Sequence, residues 1–385
     1  MEVVFLIDAT FSKRDYARFG FDILLKHNIS IQLWDFRKLY QKNFYNNGFE
    51  TDMDIVNDYI KSKVFLSFNE LDTTTNLNGV FIFDMRVLDD RVYSTNWFRS
   101  KGAVIVSLEQ GLVPISVWKP RVIDYLVIIR NKFLKLGLRN IIGTIYRSIF
   151  TQSSEIQYLD IKVCSGSVSK CSEKEFEIRS HALDFDIFLQ ERSKPKSDKN
   201  YVLFLDCGTT NHPDYQKLNI PPYCSEEVYF PLIQSFFDKV EEITGLPVVI
   251  ALHPRIINTK NLHAKFGNRE VISGKTAQLV KDAKLILNHD STSINFVALW
   301  AIPMIIITTD QLEKSAYREM ESQDQFLKTN RLNINKPYND TDFFEIAQKP
   351  LSQYNHYIET FIKVNDSPSQ HSAEILIQGL KKYVQ

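Results

Sequence analysis

Two short clusters hold residue types that suit phosphate and sugar chemistry. His253-Pro254-Arg255 follows the apolar run Pro247–Leu252. Proline fixes the local backbone, arginine presents a charged fork matched to phosphate oxygens, and an imidazole can donate to a phosphate or a leaving group. The competing reading is a surface strand end with a turn proline. Asn288-His289-Asp290-Ser291-Thr292-Ser293 also follows an apolar run and opens a helical pattern. A single Asp290 or Ser291 would suffice as a helix cap, but three consecutive hydroxyls at Ser291, Thr292 and Ser293 also suit an anion. Lys275, in Gly274-Lys275-Thr276, opens the helix between the two clusters. It can reach a phosphate there, although the motif is too short for a P-loop and a solvated lysine is the plainer alternative. Carboxylates for general-base work stand at other strand ends: Glu109 in Glu109-Gln110-Gly111, Asp8 after the first strand, and Asp84 after Phe81–Phe83. Each can equally cap a following helix. Asp206-Cys207-Gly208, followed by Asn211-His212-Pro213-Asp214-Tyr215, is a further polar cluster after a strand, expected to line the cleft with His212, and Arg14 adds a cation from the amino-terminal part.

The elements that must carry these groups alternate. Strands are expected over Val3–Ala9, Ile29–Phe36, Val64–Phe68, Val80–Phe83 and Ala103–Leu108, with helices over Asp15–His27 and Val92–Ser100. The pattern restarts near residue 200. There, strands over Tyr201–Asp206, Pro247–Leu252, Glu270–Ser273, Leu285–Asn288 and Pro303–Thr308 alternate with helices over Glu226–Thr244, Lys275–Asp282 and Ser291–Trp300. Such alternation predicts an α/β fold with two Rossmann-like, doubly wound domains, each with a parallel sheet covered on both faces. Ligands then bind beyond the carboxyl ends of the strands, in the cleft between the domains. Gln152–Asp198 is mostly polar, with Ser165–Lys170 and Glu191–Ser197 reading as loop and linker. Residues 1–195 therefore form the amino-terminal domain, 196–360 the second domain, and 361–385 a helix returning to the first.

Composition narrows the function classes. The 385 residues carry 46 Lys+Arg against 46 Asp+Glu, which argues against coating nucleic acid through bulk charge. The four cysteines lack zinc spacing and read as buried thiols. The amino terminus lacks a signal-peptide pattern and no apolar run reaches spanning length, so a cytoplasmic location is expected. Residues 118–150 are helical in pattern and basic; they read either as a peripheral contact with the inner face of a membrane or as an ordinary solvated face. Asp-x-Asp pairs at Asp52/Asp54, Asp184/Asp186 and Asp340/Asp342 close no clear apolar strand and read as solvated acids rather than a metal site.

The order strand, His-Pro-Arg, strand, Gly-Lys-Thr helix, strand, Asp-Ser-Thr-Ser helix, then Pro303 before a strand resembles the donor domain of GT-B glycosyltransferases of bacterial surface polysaccharide (capsule or O-antigen) synthesis. The His-Pro and Ser/Thr pair is similar to motifs of bacterial sialyltransferases and Kdo transferases, which use CMP-activated sugars, and of polymerases that use CDP-glycerol. Lys13–Gly20 and Trp34–Phe36 fit a GT-B acceptor domain. The resemblance implies a nucleotide-sugar donor held by His253, Arg255, Lys275, Asp290, Ser291, Thr292 and Ser293. It also implies an oligosaccharide or lipid-linked acceptor on the side of Arg14, Asp84 and His212, no resident cofactor and no required metal. The acid-acid-Gly base motif of that family is matched most nearly by Glu109-Gln110-Gly111, where Gln110 replaces the second acid; Asp8 is the other base candidate. A nucleotide-sugar epimerase or hydrolase of the UDP-GlcNAc 2-epimerase type, a CDP-glycerol-type transferase and a non-catalytic assembly partner remain as alternatives.

Overall fold

The computed structural model describes residues 1–7, 11–37, 60–65, 70, 76–85, 91–114, 159–212, 215, 221–254, 256, 262–312, 316–329, 331–347 and 351–385. Residues 1–115 and 159–385 belong to one compact unit; 116–158 are a second, so the basic 118–150 segment lies outside the described residues, as do Asp8 and Arg255.

Among the described residues, thirteen strands form two sheets, parallel throughout. In the first, β1 (Glu2–Ile7), β2 (Ser30–Asp35), β3 (Ile60–Val64), β4 (Val80–Asp84), β5 (Val104–Glu109), β6 (Ile161–Cys164) and β7 (Phe176–Arg179) lie in the order β3-β2-β1-β4-β5-β6-β7. In the second, β8 (Val202–Leu205), β9 (Val248–Leu252), β10 (Val271–Ser273), β11 (Leu285–Asn288), β12 (Met304–Thr308) and β13 (Arg331–Asn333) lie in the order β10-β9-β8-β11-β12-β13. The described α-helices are α1 (Lys13–Arg18), α2 (Phe21–Lys26), α3 (Arg91–Ser100), α4 (Leu183–Arg192), α5 (Glu226–Thr244), α6 (Leu262–Lys265), α7 (Thr276–Asp282), α8 (Ile294–Trp300), α9 (Ala316–Leu327), α10 (Asp340–Ile346), α11 (Leu351–Tyr357) and α12 (Ser372–Val384).

Central strands of such sheets are covered on both faces, which is why they read as unbroken apolar runs. Val202, Leu203, Phe204 and Leu205 are all within 1% of complete burial. In each sheet the order reverses beside the first strand, at β1 and at β8. That reversal opens a crevice beyond the strand ends.

Several elements depart from the sequence expectation. The helix expected over 15–27 is two helices, because Gly20 turns the chain in the left-handed region (φ 63°). The strand expected at Val64–Phe68 is Ile60–Val64; it is a sheet edge burying only Ile60, so its sequence carries little apolar signal. Within the polar stretch Gln152–Asp198, where no strand or helix is expected, lie β6, β7 and α4; Ser165–Lys170 is a loop, and the expected linker Glu191–Ser197 begins within the last turn of α4. The two strands are four residues each and amphipathic: Ile161, Val163 and Ile178 enter the first core, while Lys162, Glu177 and Arg179 dilute the pattern. Helix α4, which precedes the boundary expected near 195, contributes Phe185 to the second core. The reading of Asp184 and Asp186 as solvated acids is also corrected. Asp186 is 3% exposed and accepts hydrogen bonds from the backbone N–H and the hydroxyl of Ser372, at the start of α12. Asp340 and Asp342 are exposed, as expected, and Asp342 exchanges bonds with Asn339, the N-cap of α10; Asp52/Asp54 lie outside the described residues.

The chain crosses between the two cores twice. After β7 it enters the second core, and a π-helical turn at Ile358–Ile362 leads it back to α12. The buried face of α12 (Ile375, Leu376, Ile377, Leu380) joins Val3, Phe5, Ile31 and Leu33 in the first core. The linker after α4 is fastened by Lys281, which is 2% exposed and donates to the carbonyls of Glu191, Lys194 and Pro195 at 3.0, 3.0 and 3.1 Å. An ammonium so placed satisfies the last carbonyls of a helix as well as a turn. Lys281→Met keeps the apolar stem but strands three carbonyls, so a loss of about 2–4 kcal/mol is expected in urea unfolding. A loss below about 0.5 kcal/mol would show that the linker is held elsewhere.

Candidate functional site

The strand register brings the sequence clusters together. Leu205 pairs with Ala251 and with Asn288, so the residues following β8, β9 and β11 emerge side by side at one sheet edge. There they line a cavity of about 450 Å³. Asp206, Cys207, His212, Tyr215 and Tyr223 come from the segment after β8; His253 and Pro254 follow β9; Thr276 comes from α7; and Asp290, Ser291, Thr292 and Ser293 follow β11. Arg14 and Arg18, one turn apart on α1, line it from the first domain.

Asp206 organises two of these segments. One carboxylate oxygen accepts the Gly208 N–H (3.1 Å) and the other accepts the His253 N–H (3.3 Å). Gly208 then turns the chain at φ 72°, and the His212 N–H donates to its carbonyl at 2.9 Å. A side chain at Gly208 would be strained by that φ and would press on His212 at 3.3 Å. The outcome is two imidazoles in contact, with ring centroids 4.6 Å apart and planes at 65°. Tyr215 and Tyr223 pack edge to face beside them (5.5 Å), and the Tyr215 hydroxyl is anchored on the Thr209 carbonyl.

The hydroxyl turn is fixed from behind. The Asn288 side-chain carbonyl accepts the Ser291 N–H (3.0 Å), and Asn288 in turn donates to Gln323. Ser291 accepts the Ser293 N–H (3.3 Å), while Ser293, the residue capping α8, makes no side-chain capping bond. Beneath the turn, His289 is completely buried. Its Nδ1–H donates to the Ile307 carbonyl (2.7 Å), which leaves Nε2 to accept from the Tyr229 hydroxyl (2.9 Å). Across the cavity Arg18 pairs with Asp184 at 3.4 Å, and Asp184 accepts from Asn295 on α8. The Arg18 Nε is buried and has no acceptor. Arg18 thus brings to the cavity lining a buried donor whose hydrogen bond is unmade.

The sequence candidates separate accordingly. His253, Asp290, Ser291, Thr292, Ser293, His212 and Arg14 share the cavity. Lys275 is exposed at the start of α7, and Thr276 occupies the wall in its place. Glu109 is absent from the lining; Lys162 holds its carboxylate at 2.8 Å and the Ser169 hydroxyl at 2.6 Å. Asp84 ends β4 and also lies outside the lining. Asp206, Cys207 and Tyr215, members of the polar cluster expected to line the cleft, are in the lining too, whereas Arg18, Thr276 and Tyr223 are lining residues that pattern reading missed. For Arg18 a signal existed, since it stands four residues after Arg14 and so on the same helix face.

Burial moves two groups in opposite directions. It raises Asp206 to about 6, against the smaller pull of its two N–H partners, and it lowers His289 to about 4. The folded state therefore holds extra protons on Asp206 between pH 3.8 and 6, and that contribution to stability is lost as pH rises through this window. His289 holds fewer protons than in the unfolded chain between pH 6.5 and 4, and its contribution is lost as pH falls. The two slopes oppose each other. Asp206→Asn should stabilise by about 1–2 kcal/mol at pH 7, net of one lost N–H bond, with the gain shrinking towards pH 4. Chemical unfolding of wild type and variant at pH 4, 5, 6 and 7 measures it; a pH-independent difference would contradict the buried-carboxylate account.

No protein-family model and no curated protein matches the sequence. Among solved structures, the chain superposes on a variant of the wall teichoic acid polymerase TagF with a TM-score of 0.56 and 11% identity, covering 100% of this chain and 90% of that one. It superposes on the calicheamicin glycosyltransferase CalG4 with a TM-score of 0.51 and 10% identity, covering 100% and 98%. At such identities the likeness speaks for architecture, and with the two parallel sheets it establishes a two-domain, Rossmann-like α/β fold of the GT-B type.

Proposed function

We propose that this chain is a metal-independent glycosyltransferase, moving a sugar from a nucleotide-activated donor to a surface-polysaccharide or lipid-linked glycan acceptor. One observation carries the reading: at the reversal point of the second sheet, a single cavity gathers two histidines, three consecutive hydroxyl side chains and, from the first domain, two arginines. These groups suit a leaving phosphate. His253, Thr276 and the Ser291–Ser293 turn hold the donor phosphate. Arg18, through its unmatched Nε, takes up negative charge as the bond from the sugar carbon to the phosphate oxygen breaks. His212, in contact with His253, accepts the proton of the attacking acceptor hydroxyl. A donor sugar bearing a carboxylate, as in a CMP-activated nonulosonic acid or Kdo, suits the Arg14 and Arg18 side. Among the described residues no helix is long and apolar enough to cross a membrane; contact with the inner face of a membrane through 118–150 belongs to this proposal and is tested by vesicle co-sedimentation.

A second reading draws on the same groups. Two histidines and two arginines around one phosphate also suit transfer of a glycerophosphate from a CDP-glycerol-type donor, where the bond broken is phosphorus to oxygen. Product analysis with CMP-sugars and CDP-alditols separates a glycoside from a phosphodiester. An epimerase of the UDP-GlcNAc 2-epimerase type would turn over its nucleotide sugar with no acceptor present.

A thermal-shift panel of CMP, CDP, UDP and GDP should single out one base with an upward shift. His253→Ala should lower single-turnover transfer by about 100-fold or more while leaving the fold intact. Failure of every nucleotide to shift the melting point, together with full transfer by His253→Ala, would end the proposal.

A further inference from the structure

Outside the cavity lining, at the end of β6, two sulfurs meet. Cys164 is completely buried, Cys171 is half-buried, and their Sγ atoms lie 3.3 Å apart. A disulfide needs about 2.05 Å, so closing the bond moves the sulfurs little more than one ångström and leaves the strand in place.

The six residues between them form a clasp. Ser165 donates its hydroxyl to the carbonyls of Glu109 and Phe361. The N–H groups of Ser167 and Val168 donate to the carbonyls of Glu359 and Thr360, at 2.9 and 3.1 Å. Gly166 lies so close to the Thr360 backbone that a Cβ there would come within 2.1 Å of its carbonyl oxygen. The loop thus grips the π-helical turn by which the chain returns to the first core.

A metal is the rival occupant, since Glu177 is the third potential ligand near the sulfurs. That carboxylate is already paired with Arg179. The Lys162 ammonium, held by Glu109 (2.8 Å) and the Lys170 carbonyl (2.6 Å), adds a cation to the same corner. Two sulfurs and one committed carboxylate fall short of the four ligands of a structural zinc site.

We infer that Cys164 and Cys171 are a redox-convertible dithiol, and that their disulfide locks the loop clasping the returning chain. With glutathione disulfide as oxidant, the more accessible Cys171 thiolate attacks one of its sulfurs and expels a glutathione thiolate. Cys164 then attacks the Cys171 sulfur and expels the second. Two protein thiols become one disulfide, their two electrons reduce the oxidant, and their two protons leave on two glutathione thiols. Burial, then the neighbouring Cys164 sulfur, then the Glu177 and Glu175 carboxylates push the Cys171 thiol up, so the reaction speeds up as pH rises.

Full-length protein treated with glutathione disulfide at pH 8.5 is analysed by intact mass, non-reduced peptide mapping and hydrogen exchange. The expected result is a loss of about 2 Da, a linked peptide pair containing Cys164 and Cys171, and slower exchange over 358–362 that dithiothreitol reverses. Cys171→Ser and, independently, Cys164→Ala should each abolish all three changes. A persistent glutathione adduct, linkage to Cys207 or Cys224, unchanged exchange over 358–362, or one tightly retained zinc per chain would each overturn the inference.

Discussion

The site depends on one buried carboxylate. Asp206 stands where β8 runs out of partners, and it spends one oxygen on each of the two segments that carry a histidine. A carboxylate in that position is costly to bury, which is why burial raises its proton affinity despite two N–H donors. In exchange, the His212 and His253 backbones are set relative to each other before any ligand arrives. Such preorganisation is what a site that handles developing phosphate charge requires.

The opposing wall is built differently. Arg14 and Arg18 reach the cavity from a six-residue helix of the first domain. Arg18 leads through Asp184 and Asn295 to α8, and Asn295 also accepts from the Tyr357 hydroxyl at 2.8 Å, beside the returning chain. The cationic side of the site is therefore tied, bond by bond, to the helix that follows the hydroxyl turn. A ligand drawing Arg18 inward would act on that chain of contacts.

Much of this arrangement was legible in the sequence, for physical reasons. Strands buried on both faces read as short apolar runs, so polar residues at their ends stand out, and His253, Ser291, Thr292 and Ser293 were found that way. The same signal cannot distinguish an acid that faces a cavity from one that closes an ion pair. Glu109 ends its strand as clearly as Asp206 does, yet Lys162 and Ser169 occupy its oxygens. Tyr223 stands in an irregular segment without periodicity, so nothing marked it, whereas Tyr215 belonged to the polar cluster after β8. The strands β6 and β7 were hidden because they are four residues each and Lys162, Glu177 and Arg179 interrupt their apolar positions. Asp186 looked like one of a pair of surface acids, although its partner Ser372 is 186 residues away.

The return of the chain has a consequence for biosynthesis. Domains usually fold in order as they leave the ribosome, the first before the second. Here the apolar face that covers β1 and β2 includes Ile377 and Leu380, which are made after every strand of the second sheet. The amino-terminal sheet must wait, partly uncovered, while the second domain is synthesised and folds. Of these two domains, the one begun first is covered only after the other has been made.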